Sequence, residues 1–238
     1  MFSGGRPGIW PTIAAVVAVA LFIRLGFWQL RRADQARAQK DAYRARIAQA
    51  PVNPGTRLWD VANVRFRRVV LSGHYDARHQ ILLDNQFNGE NVGYDVLTPL
   101  RLAHSRFRVL INRGWIPFNG DRNHLPAVPP PAGLQHVTGL VVVPGKYFRL
   151  GRPRPLHPRH VLWEYLDLKR YARSVPFPLE PVVVLLAPAS PGGYVRHWPP
   201  AGTGVAMHDG YALQWFLFAL SVVVIYVVVN RPKRNDHR

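Results

Sequence analysis

Gly210-Tyr211-Ala212-Leu213-Gln214-Trp215-Phe216-Leu217-Phe218-Ala219-Leu220-Ser221-Val222-Val223-Val224-Ile225-Tyr226-Val227-Val228-Val229 carries no charge, and Gln214 is its only strongly polar side chain. As an α-helix rising about 1.5 Å per residue, it reaches roughly 30 Å, the thickness of a bilayer's hydrocarbon core. It ends in Asn230-Arg231-Pro232-Lys233-Arg234, a basic stop that the positive-inside rule assigns to the cytoplasm. A matching run begins at Ile9 and extends to about Trp28. Ile9 to Ile23 is uncharged, Arg24 lies within a turn of the end where it can snorkel, and Trp28 falls where an interfacial aromatic belongs. The alternative is a cleaved signal peptide, with Arg6 as its basic flank and Ala18-Val19-Ala20 as its cleavage site. The apolar run continues past that site through Leu21, Phe22 and Ile23, which favours an uncleaved span. The charge signals at the two spans conflict. Only Arg6 precedes the first span, while Arg31, Arg32, Arg37, Lys40, Arg44 and Arg46 follow it. Long translocated loops partly escape the rule, so the favoured topology has both termini inside and the loop outside.

Subtracting two spans leaves roughly 180 residues, enough for one domain with its own core. The formal net charge is +18. Such a charge suits nucleic acid, anionic lipid or an acidic partner. The basic residues are scattered and no zinc-finger or RNP-type motif accompanies them, so with two spans present nucleic acid is not expected as a partner and membrane lipid is. The chain has no cysteine. That removes disulfides, thiolate nucleophiles, Cys-ligated zinc, iron–sulfur clusters and covalent c-type haem attachment within it.

Between the spans the pattern changes twice. Arg31 to about Gln49 is rich in Ala, Arg, Gln and Lys and reads as a basic helix leaving the membrane, ended by Pro51, Pro54 and Gly55. Short β-type runs follow at Arg65–Tyr75, Gln80–Phe87, Gly93–Leu102, Arg106–Ile116, His136–Val143 and Leu179–Ala187, with a turn at Asp76-Ala77-Arg78 and a short helix at Asp167–Val175. Arg106–Ile116 has the clearest alternation. Asn123–Gly133 and Gly151–Pro158 are proline-rich and read as exposed connections. The predicted fold class is an α+β membrane protein in which two transmembrane helices flank a mainly antiparallel β barrel or sandwich. Its segments are a short cytoplasmic terminus at 1–8, a span at 9–28, a β-rich domain with a leading basic helix at 29–209, a span at 210–229 and a basic tail at 230–238.

No nucleophile elbow, P-loop, dinucleotide fingerprint, HExxH or EF-hand pattern occurs, and acids are too scarce to suggest a carboxylate pair, so an enzyme is not expected. The chemistry-bearing residues stand at the ends of the spans. On a helix, His208, Tyr211, Ala212 and Trp215 share a face. An imidazole on an aromatic face at a span's edge is either part of an aromatic belt or an axial haem ligand, with Tyr211 and Trp215 walling the ring. Arg24, Trp28 and Arg31 share a face of the first span; the arginines are either snorkelling charges or partners for porphyrin propionates. His157 and His160 are three apart but lie in a proline-rich segment. In Asn112-Arg113-Gly114-Trp115, Gly114 would supply an unusual backbone angle at a strand-end bulge, or Arg113 and Trp115 would be presented to a partner.

Four segments in order resemble the Surfeit locus protein one, or Shy-type, family of cytochrome c oxidase assembly factors. They are Leu25-Gly26-Phe27-Trp28-Gln29-Leu30-Arg31-Arg32, Gly73-His74-Tyr75-Asp76, Val109-Leu110-Ile111-Asn112-Arg113-Gly114-Trp115-Ile116-Pro117, and His208 through Trp215-Phe216; Pro99 after Gly93-Tyr94 also fits. The likeness extends from about Phe22 to Val228; Asn119–Gly133 is less similar, and Met207 stands where a small polar residue is usual. The resemblance implies a part in haem–copper oxidase biogenesis, with the oxidase catalytic subunit and other assembly factors as partners. It implies haem a as a transient cofactor, with His208 as the metal ligand. It further implies cytoplasmic termini and a periplasmic domain. With only Met1–Gly8 ahead of the span, the expectation is a bacterial inner-membrane protein rather than a mitochondrial one. The other expectation is a haem-free chaperone that docks the subunit through its basic domain.

Overall fold

The computed structural model describes residues 8–145, 161–202 and 204–231. Arg6, the proline-rich stretch at 151–158 with His157 and His160, and the tail beyond 231 lie outside them. The chain divides into two compact units, one formed by residues up to 43 together with those from 200, the other by residues 44–199.

The first unit is a pair of helices. Helix α1 covers Ile9–Ile47, so the apolar span and the basic stretch after it are one uninterrupted helix. Pro11 is tolerated because the first-turn N–H groups have no intrahelical acceptor. The helix stops before Pro51, whose ring disfavours helical backbone in the residue preceding it. The other helix of the pair begins at Val205, a turn earlier than Gly210, and runs to Val229. Both helices are long and apolar enough to cross a membrane. Their outward faces carry exposed Ile9, Val16, Leu21, Leu217, Ile225 and Val229, an apolar surface that lipid rather than water would cover.

The second unit is a β-domain. Its elements are helix α2 (Val61–Val64), strands β1 (Arg68–Tyr75), β2 (Ile81–Asn88), β3 (Asn91–Leu102), β4 (Arg108–Pro117), β5 (Gln135–Val142) and β6 (Leu162–Trp163), helix α3 (Leu168–Ser174) and strand β7 (Leu179–Leu186). The C-terminal helix Val205–Val229 is α4. The sheet order is β1-β5-β7-β4-β3-β2-β6, and β1 also pairs with β3. That last pairing, Gly73 with Leu102 and Tyr75 with Leu100, closes β1, β5, β7, β4 and β3 into a ring. The domain is therefore a small barrel rather than a sandwich. Gly73 stands at the closure, where a Cβ would run into the carbonyl oxygen of Arg101.

Most pairings are antiparallel, but β4–β7 and β2–β6 are parallel. A parallel neighbour needs a long crossover, and the chain from 118 to 178 supplies it for β7. Val69, Leu71, Val109, Ile111, Val182 and Val184 fill the barrel, with Trp59 and Val64 packed against them. On the other side, Leu97, Leu110 and Val183 pack under Trp163, Leu166 and Tyr171 from the α3 region. Residues Val109 to Arg113 of β4 are thus buried on both faces, and the alternation expected of that strand does not appear in its burial. Central strands covered twice read as continuous apolar runs.

Candidate functional site

In the helix pair, α1 meets α4 along one seam. Thr12 Oγ1 and Tyr226 Oη are 2.7 Å apart, and Phe22 stacks on Trp215 with ring centroids 5.7 Å apart. Phe27 meets the edge of Phe216 at 5.5 Å, and Gly26 lies so close to Phe216 that a Cβ there would sit 2.6 Å from the ring. Arg37 donates to Asp209 at 2.5 Å and to Asp34 at 2.8 Å. Gly26, Ala33, Ala212 and Ala219 are the buried positions of the seam. The two on each helix are seven residues apart, so they share a face and let the backbones approach, as small residues do between helices in lipid.

His208 belongs to this seam. Its Nδ1 lies 2.8 Å from Oε1 of Gln29. A carboxamide oxygen can only accept, so a bond to Oε1 needs a proton on Nδ1, and in the neutral ring the lone pair then lies on Nε2. No hydrogen bond from a described residue reaches Nε2, and the side chain is half-buried. Trp215 also lies in the seam, in a three-ring cluster with Phe22 and Phe218. Tyr211, three residues after His208, is 47% exposed.

The other three expected residues are not gathered with these. Arg24, Trp28 and Arg31 share one face, as their spacing implies, but it points away from the face carrying Phe22, Gly26, Gln29 and Ala33. All three are exposed, Trp28 by 48%. The seam partner of His208 is instead Gln29, which the sequence reading had passed over. It stands in the quoted stretch beside Trp28, but only the pairing of residues 179 apart marks it.

Arg113 requires a correction. It was expected at a partner surface, yet it is 1% exposed. Its Nε donates to the carbonyl of Gly192 at 2.8 Å. One terminal nitrogen donates to Gln80 Oε1 at 3.1 Å and to the Val128 carbonyl at 3.2 Å, and the other to the Pro129 carbonyl at 3.1 Å. The guanidinium also faces the rings of Tyr75 and Tyr194. Burial pushes it below arginine's ordinary value, and the same two tyrosines oppose that shift. Burial raises the Tyr75 phenol to about 12. Arg113 thereby clamps the proline-rich loop around 128–129 and the strap around 192–195 to the barrel wall.

The residues around it serve the same clamp. Gly114 has φ +115°, and the register between β3 and β4 shifts at this point. This is the strand bulge anticipated at Gly114. Asn112 donates to Asp95 at 2.8 Å and accepts the Gly114 N–H at 3.0 Å. Burial lifts the Asp95 carboxyl above its ordinary range, against that donation. Trp115 is half-buried, exchanges backbone bonds with Val195 and donates its indole N–H to the Gln86 carbonyl at 3.0 Å. Asp76, at the end of the quoted Gly73-His74-Tyr75-Asp76, accepts from His79 at 2.8 Å and from Arg108.

A cavity of about 590 Å³ lies in the β-domain beside α3, lined by Val143, Tyr165, Leu166, Leu168 and Ala172 with Lys169. Asp167 also borders it, but its carboxylate caps α3 by accepting the Arg170 N–H. No group of three or more acid, His or Cys side chains placed to hold a metal exists among the described residues.

A pair of long apolar helices with a half-buried imidazole on their seam, and a closed β-barrel in the same chain, define a barrel protein with two candidate membrane spans. The chain belongs to the SURF1 family, whose model matches residues 16–220. It is 24% identical over 226 residues to a SURF1-like protein of Rickettsia felis, covering 92% of this chain and 96% of the relative. It is 25% identical over 222 residues to one of Rickettsia conorii, covering 90% and 89%. Similarity also reaches the Surfeit locus protein 1 of Xenopus tropicalis, at 26% identity over 222 residues, covering 84% of this chain and 69% of that protein.

Proposed function

We propose that this protein is a non-enzymatic assembly factor for a haem–copper oxidase, acting as the catalytic subunit receives haem a. Family membership supports the oxidase context. The observation that carries the haem part is His208, a half-buried imidazole at the end of a helix pair whose Nε2 takes no hydrogen bond from a described residue. The residues fit the group in part. His208 would supply the axial nitrogen, and exposed Tyr211 on the next turn would offer an aromatic face. Trp215 is already packed with Phe22 and Phe218, and Arg24, Trp28 and Arg31 face away from the seam, so they do not join His208 in one haem pocket. Their exposed face suits lipid headgroups or the client's own helices.

Within this reading the protein sits in a bacterial inner membrane, with cytoplasmic termini and a periplasmic barrel. The catalytic subunit and further assembly factors are its partners. Docking of the subunit without haem is the other reading, but Arg113 cannot serve it because a partner has no access to a side chain enclosed in the barrel wall. The experiment is the absorption spectrum of protein purified from cells that make haem a, alongside His208→Ala. A Soret band in the parent that is lost in the variant is expected. Equal haem content in both refutes the ligand assignment.

A further inference from the structure

We propose that Gln29 is the positioning residue for His208, holding the neutral imidazole as the Nδ1–H tautomer so that Nε2 is the nitrogen offered to a metal. The proposal rests on the haem reading above, but it concerns this chain's own residues and can fail separately. The geometry is specific. Gln29 lies between the buried seam residues Gly26 and Ala33 in sequence and on the same helix face, and its Oε1 is 2.8 Å from Nδ1. The neighbouring carboxylate, Asp209, pairs with Arg37, and the contact of the ring nitrogen is Gln29. The acceptor of the Nδ1 proton is therefore an uncharged amide from the opposite helix, which fixes both the tautomer and the rotation of the ring.

A free imidazole in water favours the other tautomer, with the proton on Nε2. That form would present an N–H to an incoming iron. Partners that hold the far nitrogen of a ligating histidine raise metal affinity by about 10–100-fold. Gln29 would supply that effect across 179 residues of sequence.

The test uses the full chain in lipid nanodiscs, as parent, Gln29→Leu, Gln29→Glu and His208→Ala. Two quantities are read: the ¹⁵N spectrum of the His208 ring in metal-free protein, and the affinity for ferric protoporphyrin IX as the probe. The expected parent spectrum is that of the Nδ1–H form. Gln29→Leu should move the ring toward Nε2–H and weaken probe binding by about 10–100-fold, while Gln29→Glu, which keeps an acceptor, should restore both. An unchanged tautomer in Gln29→Leu overturns the proposal. So does a changed tautomer with unchanged probe affinity, since the amide would then order the ring without serving a metal. Probe binding that survives His208→Ala refutes the haem reading itself, whatever Gln29 does to the tautomer.

Discussion

Replacing Arg113 by alanine takes three carbonyl oxygens, those of Val128, Pro129 and Gly192, away from their charged donor. A buried acceptor left without a donor loses about 1–3 kcal/mol. Val128 is buried and bears the full loss, whereas water reaches Pro129 and Gly192 and recovers part of theirs. Adding the void left by a large side chain that is 1% exposed, the expected destabilisation is about 3–5 kcal/mol. Against a typical domain stability of about 5–15 kcal/mol this is severe, and at about 2–4 °C per kcal/mol it lowers the melting temperature by about 10 °C. Arg113→Lys keeps a charge but not the fork that serves several carbonyls, so about half the loss is expected. The assay is thermal unfolding of the full chain in nanodiscs, followed by circular dichroism, with limited proteolysis of the 188–199 strap. Early cleavage there is the local signature of a released clamp. A variant that melts within about 2 °C of the parent yet no longer captures the oxidase subunit would refute the reasoning. It would return Arg113 to a docking role.

Gly26→Val is expected to separate the helix seam, because its Cβ would lie 2.6 Å from the Phe216 ring. Overpacking of this kind costs about 1–3 kcal/mol. The chain has no cysteine, so a Thr12→Cys, Tyr226→Cys pair bridged by a short bifunctional thiol reagent reports the seam, and its cross-linking yield should fall when Gly26→Val is added. Gly114→Ala should destabilise the barrel by about 1–3 kcal/mol, since φ +115° strains any side chain and the Cβ would meet the Val195 carbonyl at 2.6 Å; a melting curve reads this directly. Glu180 gives a pH test. Its carboxyl is buried and accepts one N–H from Trp59, while its other oxygen has no partner among the described residues. Burial raises its pKa above the usual carboxylate range, with the Trp59 N–H opposing. The folded state therefore holds the proton to higher pH than the unfolded state, and stability falls as pH rises from the unfolded value through the folded one. Glu180→Gln should flatten that fall and exceed the parent in melting temperature at pH 8, with the gap closing below about pH 4. An equal slope in both proteins would show that Glu180 is not the group responsible.

The spans were legible because crossing a membrane is a one-dimensional property: about 20 uncharged residues suffice, whatever they touch. The strands were legible at nearly their observed limits, because apolar β-branched runs between turn residues form locally favoured extended chain. The order of the motifs also pointed to the family. Closure was not legible. Whether β1 returns to β3 depends on a crossing at Gly73 that pairs residues nearly thirty apart, and β7 joins β4 in parallel only after a long crossover. β6 and α2 were missed because two or four residues carry no period.

For the site, helical spacing put Arg24, Trp28 and Arg31 on one face of the first helix and His208, Tyr211, Ala212 and Trp215 on one face of the other. Spacing fixes which residues of one helix share a face, but not which face meets another helix. That was decided by Gly26, Ala33, Ala212 and Ala219, whose small side chains admit the opposite backbone and so select the seam. The selection puts Gln29 on His208 and turns the arginines outward. Arg113 was misassigned for a related reason. A sequence lists a charge as polar, and only the three-dimensional structure reveals that backbone carbonyls from two distant loops converge on it. The sequence by itself determined that the chain has two segments long and apolar enough to cross a membrane, carries a β-domain and resembles the oxidase-assembly family. Tertiary packing alone decided that Arg113 is a structural clamp and that His208 meets Gln29 across the helix seam.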